Sequence, residues 1–266
     1  MKIMKTLSGM ALCTAALACA VGAQANELQN IQKKGEIRIG VDISAPPYGM
    51  VDKDAKQTGF DVESARLLAK DLGVKLVVVP VTGPTRVQFL LTNKVDAIMA
   101  SFSITDERKK VIDFSNPYGV VPVVVFGPKA DPIAGPKDLA NKSIAVTRGT
   151  TSDMTITDST KGVPGVRIVR YEDDSTSNTA ASTGQQKVLV GAPSVLPEIQ
   201  KANSKADLAY KYTATEFPMG VGIRQNQPEL KARINQWVAT NLKNGELNTI
   251  YKKYFFGQSL PESMLK

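Results

Sequence analysis

The 266-residue chain contains no histidine. Without imidazole it can build neither a Ser-His-Asp triad nor a Cys-His pair, and most zinc sites are closed to it. No metal and no cofactor are expected, and an enzyme made from this chain would have to work with Asp, Glu, Lys, Tyr or Arg. Cysteine is almost missing too, with Cys13 and Cys19 as its two occurrences. Both fall in a stretch with the marks of a secretory signal peptide: a basic start at Met1-Lys2-Ile3-Met4-Lys5, an uncharged run from Thr6 to Val21, and a small-residue site at Ala23-Gln24-Ala25. Removing residues 1–25 leaves 266 − 25 = 241 residues without a thiol, and therefore without a disulfide. That length holds one large domain or two lobes of about 100 residues each. A membrane anchor is the alternative for the apolar run, which is short and Ala-rich for a bilayer span. Lipoprotein anchoring at Cys19, in Ala16-Leu17-Ala18-Cys19, is another.

Concentrated charge is also lacking. The formal net charge is +8, and Lys2 and Lys5 leave with the signal, so the remainder carries about +6. Its basic residues are scattered, with pairs such as Lys33-Lys34 and Lys109-Lys110 as the usual cluster. No basic stripe interleaved with aromatics is present, so nucleic acid is not an expected partner. A mild positive field favours an anionic ligand or an acidic docking surface, and ordinary solubility is the simpler account of it.

What is present is an alternation of strands and helices. Strand patterns occur at 37–41, 75–79, 97–100, 143–147 and 166–171, rich in β-branched residues. Helical spacing marks 60–70, with Asp61 as a candidate cap, 86–93, 152–160, and a long stretch at 227–242 with Pro228 suited to its first turn. Trp237, the one tryptophan, falls on that last helix and reads as core. The alternation predicts an α/β fold with mainly parallel sheets flanked by helices. Two extended stretches, 120–126 and 217–222, read as crossings between lobes. Pro122 argues against a plain central strand in the first. Lobe 1 is then 26–120 plus 219–266, and lobe 2 is 121–218. Two crossings make a two-stranded hinge that permits closure with little change inside each lobe.

Several segments, in order, carry a resemblance. They are Gly35-Glu36-Ile37-Arg38-Ile39-Gly40-Val41-Asp42, Pro46-Pro47-Tyr48, Gly59-Phe60-Asp61-Val62, Lys94-Val95-Asp96-Ala97-Ile98, Ser103-Ile104-Thr105-Asp106-Glu107-Arg108, Ile112-Asp113-Phe114-Ser115-Asn116-Pro117-Tyr118, Gly149-Thr150-Thr151-Ser152, and Gly245-Glu246-Leu247 with Ile250-Tyr251-Lys252-Lys253. Together they resemble the family 3 extracellular solute-binding proteins, the periplasmic amino-acid receptors of bacterial ABC importers. The resemblance implies a two-lobed periplasmic binding protein-like (type II) fold, a small-molecule amino acid or other carboxylate as ligand, an ABC transporter permease as partner, and a monomer that binds without turnover.

The resemblance also implies roles. Arg108 would grip the ligand's carboxylate, because a guanidinium offers parallel donors that fit it bidentately; the local sequence alone would read it as a helix-face arginine. Ser101 and Ser103 follow strand 97–100 at its carboxyl end, where ligands bind in open α/β sheets. Thr150 and Thr151 sit in a strand–helix turn that would clamp the same carboxylate from lobe 2, since a helix N-terminus presents free N–H groups. Tyr48 would lie against the ligand's side chain. Asp42, on the same loop, would meet a polar or cationic group or simply cap a turn. Arg86 would meet a second anionic group or stand on the surface.

One departure stands out. The family usually carries an Asp-Ala-x-x-x-Asp stretch in lobe 2, whose last aspartate binds the ligand's ammonium. Here Lys187 replaces the first aspartate and Ala192 the second. A buried ammonium without a partner costs several kcal/mol. Either another carboxylate such as Asp153 or Glu216 substitutes, or the ligand is a carboxylate without an amine, with Ser194 as a neutral hydrogen-bonding group. A dehydratase-like enzyme on the same fold and a soluble sensing partner of a membrane receptor remain as alternative functions.

Overall fold

The computed structural model describes residues 26–266; the expected signal peptide and the Cys19 box lie outside the described residues. The chain enters through α1 (Glu27–Lys34), closed by Gly35 in a left-handed conformation. Strand β1 (Glu36–Val41), the short hairpin β2 (Met50–Val51) and β3 (Gln57–Thr58), helix α2 (Phe60–Leu72), β4 (Lys75–Pro80), α3 (Arg86–Leu91), β5 (Ala97–Ile98) and α4 (Asp106–Lys109) follow. Both β4 and β5 pair parallel with β1, as helix-linked crossovers dictate. The fifteen-residue β6 (Asp113–Gly127) carries the chain into a second half of the same type. There β7 (Ser143–Thr147), α5 (Thr151–Ser159), β8 (Arg167–Tyr171), α6 (Asp174–Ser182), β9 (Val188–Gly191) and α7 (Val195–Ala202) alternate, and β7 pairs parallel with both β8 and β9. The equally long β10 (Ala209–Ile223) returns antiparallel to β6, and α8 (Pro228–Lys243) and α9 (Glu246–Tyr254) finish on the first half.

The resulting strand order is β4-β1-β5-β10-β6-β9-β7-β8, so β10 and β6 sit centrally and belong to both halves. Their ladder is interrupted by four register shifts, between Tyr210 and Tyr212, Thr213 and Thr215, Met219 and Gly220, and Gly220 and Gly222. Such irregularities bend a strand pair locally. Pro122 pairs with Glu216 of β10 at a level where β9 has not yet joined, since β9 meets β6 only from Val124 to Phe126. A residue without an N–H is tolerated where one ladder is missing.

Each half has its own core. In the first, Ile37, Ile39, Phe60, Leu68, Tyr118 and Trp237 form one cluster, and Val81, Leu90, Phe102 and Phe114 another across the sheet. In the second, Val123, Val125, Ile144 and Ile156 fill one face, and Val124, Phe126, Leu189 and Ile199 the other. Trp237 is 1% exposed and packs its edge on Tyr118; truncating such a side chain costs about 3–5 kcal/mol.

Three local expectations change. Asp61 does not cap α2: Gly59 holds that position with φ of 123°, where a Cβ would meet the Tyr48 carbonyl oxygen at 2.4 Å. The Asp61 side chain instead turns inward and is fully buried. Strand 97–100 pairs only over Ala97–Ile98, because the chain leaves the ladder to enter the turn at Ser101. The helix expected at 152–160 begins one residue earlier, with Thr150 accepting the Asp153 N–H at 3.2 Å as its cap.

Candidate functional site

A narrow cavity lies between the two halves, next to the crossing strands. The first half contributes Pro46, Tyr48, Arg86 and Ser101, and the second Thr147, Thr150, Thr151, Asp174, Ser177, Asn178 and Ala192. The Ser101 wall is held from behind. Ser101 has φ of 44°, unusual for a residue with a side chain. Its N–H donates to Asp61 Oδ2 at 2.6 Å, while Tyr118 Oη donates to Asp61 Oδ1 at 2.7 Å. Burial pushes the Asp61 carboxyl up to about 7 despite these two donors.

Two arginines meet at one aromatic ring. The guanidinium carbons of Arg86 and Arg108 each lie 4.7 Å from the centroid of Phe102, within cation–π range. Arg86 is 3% exposed; its Nη1 donates to the Ala100 carbonyl at 2.8 Å and its Nε has no partner. Burial lowers its proton affinity, against the pull of Asp42, Asp174 and Asp61. Arg108 is pushed down to about 8, by burial first and by Arg86 second. Two buried cations that oppose one another make this wall seek an anion.

The halves touch where the sequence motifs for a carboxylate clamp fall. Arg108 Nη1 donates to Ser103 O at 2.7 Å on its own half, and Nη2 donates to Gly149 O at 3.1 Å on the other. The hydroxyls of Ser103 and Thr151 stand 3.0 Å apart across the same seam. Gly149 takes φ of 69° to turn β7 into α5, which points the first turn of α5 at the seam.

The other expected residues are distributed as follows. Tyr48 lines the cavity, donates weakly to Val120 O at 3.4 Å and rests its edge on Phe255. Asp42 is buried beside the cavity, on a neighbouring groove with Asp173, and its Oδ1 accepts both the N–H and the hydroxyl of Ser44. That is the turn-capping arrangement, and burial raises its carboxyl. Ser194 is buried next to the lining residues Ala192 and Val195, with no hydrogen-bond partner. Neither carboxylate expected to stand in at position 192 lines the cavity. Asp153 is tied to Arg170 Nε at 2.9 Å, to Thr157 and to the Gly149 N–H. Glu216 is exposed on β10. Lys187 borders a separate groove at the far end of the second half.

The sequence reading overlooked the face of α6. Asp174, Ser177 and Asn178 share one side of that helix and line the cavity. Asp174 accepts a hydrogen bond from the Thr147 hydroxyl, and burial, then Asp42, raise its carboxyl to about 6. The available signal was Asp173-Asp174-Ser175-Thr176, a capped helix start placed after strand 166–171 at the carboxyl edge of the sheet. Among the described residues, no group of three or more Asp or Glu is placed to hold a metal ion, and no helix is long and apolar enough to cross a membrane.

The profile of the bacterial extracellular solute-binding proteins, family 3, matches residues 37–258. The chain belongs to this family. Among family 3 relatives, it is 28% identical over 231 residues to the L-cystine-binding protein TcyJ of Escherichia coli, covering 86% of this chain and 85% of that one. It is 29% identical over 229 residues to an L-arginine-binding protein of Pseudomonas aeruginosa, covering 82% and 87%. Among solved structures, the solute receptor for L-cysteine of Neisseria gonorrhoeae superposes with a TM-score of 0.79 at 31% identity, over 86% of this chain and 93% of that one. An ancestral amino-acid-binding protein described as a precursor of cyclohexadienyl dehydratase gives 0.77 at 33% identity, over 86% and 99%. The fold and the family 3 membership thus stand together, and these relatives are named as binding proteins.

Proposed function

We propose that this chain is a periplasmic receptor that closes around a small carboxylate-bearing ligand, an amino acid, and delivers it to the permease of an ABC importer. In this reading residues 1–25 export the chain, it works as a monomer without catalysis, and the moving bodies are 26–120 with 219–266, and 121–218. The observation that carries the reading is the seam at which Arg108 and Ser103 meet Gly149 and Thr151. A carboxylate entering there would exchange the two neutral carbonyl acceptors of Arg108 for charged ones, and charge-assisted hydrogen bonds are about twice as strong. It would at the same time reach the N–H groups of α5, so one anion would hold both halves. The cavity as it stands is about 50 Å³, against roughly 300–1,000 Å³ for ordinary ligand pockets. The ligand therefore enters through an opening at β6 and β10, and its presence sets how far the halves close.

Calorimetry of the exported chain against the twenty amino acids and L-cystine tests the reading. At least one should bind with the closure signature of a negative heat-capacity change. Silence across that panel and across simple keto acids and dicarboxylates would sink it. A second reading has one observation in its favour: Asp174 is a cavity carboxyl with raised proton affinity, as a proton donor requires. A dehydratase would convert prephenate or arogenate, and product formation would replace the receptor reading.

A further inference from the structure

Resting on the receptor reading, we propose that Asp174 is the counterion for the cationic group of the ligand, which makes that ligand a zwitterion. Two charged side chains are found among the described residues that line the cavity: Arg86 from the first half and Asp174 from the second. Arg108, outside the lining, adds a second guanidinium against the same Phe102 ring. A ligand in the cavity therefore meets Arg86 on the first half's wall and the face of α6 on the second's.

The other carboxylates near the site are already used. Asp61 accepts from Ser101 and Tyr118, Asp42 from both donors of Ser44, and Asp153 from Arg170, Thr157 and Gly149. Asp174 has one neutral partner, the Thr147 hydroxyl, and no cation bonded to it. Three and four residues further along α6, Ser177 and Asn178 face the same cavity. The Ser177 hydroxyl is buried, at 1% exposure, without a partner. A carboxylate, a hydroxyl and an amide oxygen on one helix face offer three acceptors, and an ammonium carries three donors. The like charge of Asp42, which approaches from the first half, outweighs the opposite pull of Arg86 on this carboxyl and leaves a demand for a cation here. Ala192 lines the same cavity and contributes no polar side-chain atom.

The test pairs each amino acid with the same molecule lacking its amine: L-cysteine with 3-mercaptopropionate, L-glutamine with glutaramate, and the tightest amino acid of the panel with its deaminated analogue. Calorimetry is run on the wild type, Asp174→Asn, and Asp174→Asn combined with Ala192→Asp. Asparagine keeps an acceptor for Thr147, and a thermal melt checks folding. Asp174→Asn should weaken the amino acid by about 30-fold or more while moving the deaminated analogue less than about threefold. Ala192→Asp, which returns a carboxylate to the cavity, should recover at least about tenfold. Equal loss for both members of a pair, or no loss for either, overturns the proposal while the receptor reading stands. So does a wild type that prefers the deaminated acid. A wild type that binds nothing removes both.

Discussion

Replacing Asp61 by asparagine should make the protein gain stability relative to the wild type as pH rises from acid to alkaline. The carboxyl is fully buried and titrates at about 7 in the fold, against 3.8 when unfolded. Each tenfold step in proton affinity is about 1.4 kcal/mol, so the interval is worth about 4 kcal/mol. Because the folded value is raised, the contribution favours folding fully below 3.8 and is lost as pH rises through about 7. Between pH 4.5 and pH 8 the loss is about 3 kcal/mol. Asparagine has nothing to lose over that span. Its Oδ1 can accept the Ser101 N–H, and its Nδ2 can donate to Tyr118 Oη, which is free to accept. Urea unfolding of both proteins at pH 4.5 and pH 8 reads the difference. The variant should gain about 3 kcal/mol on the wild type between those two values. A variant that trails by the same amount at both would mean that the buried carboxylate is ionised throughout, and would refute the account of how Ser101 is held.

Three further outcomes follow from the geometry. Arg108→Ala should weaken the tightest carboxylate ligand by about 2–5 kcal/mol, with Arg108→Lys falling between because it keeps the charge and loses the fork; calorimetry reads both, and full affinity in the alanine variant removes Arg108 from the site. Ser103→Cys with Thr151→Cys places two thiols where hydroxyls stand 3.0 Å apart, in a chain whose only cysteines precede residue 20. Oxidation should lock the halves and abolish ligand uptake, reduction should restore it, and unchanged uptake when oxidised would show that the seam is not a gate. In Gly222→Ala, a Cβ would meet Phe102 Cε1 at 2.6 Å; the displaced ring should cost about 1–3 kcal/mol in melting experiments and loosen binding, because both guanidiniums lean on it.

What could be read from the sequence was local. Gly149-Thr150-Thr151 is legible as a strand–helix turn, and the structure builds that turn with a left-handed Gly149 and Thr150 as the helix cap. The helix-strand alternation gives the parallel pairing without any knowledge of partners. Asp61 was misread as a cap because its partners Ser101 and Tyr118 lie 40 and 57 residues away. Asp174 escaped for the same reason. Its surroundings are assembled from both halves, and nothing in Glu172-Asp173-Asp174 tells which of three adjacent acids will face inward. Arg86, beside Gly83-Pro84-Thr85, is open to either a site or a surface role, and its burial depends on the Ala100 carbonyl and the Phe102 ring, 14 and 16 residues further on. Boundaries such as the two-residue β5 depend on where a neighbouring strand ends, which periodicity does not encode.

The single tryptophan gives the protein a reporter of its own. Trp237 lies 6.3 Å from the ring of Tyr118, Tyr118 holds Asp61, and Asp61 holds the Ser101 N–H at the cavity wall. A charge appearing on Asp61, or a shift of Ser101 against a ligand, alters the electric field on one indole with no other indole to mask it. Intrinsic emission should therefore follow both the proton on Asp61 and the occupancy of the cleft, without any label attached. A fluorescence titration across neutral pH, compared between the wild type and Asp61→Asn, would separate the proton on Asp61 from those on Asp174 and Arg108.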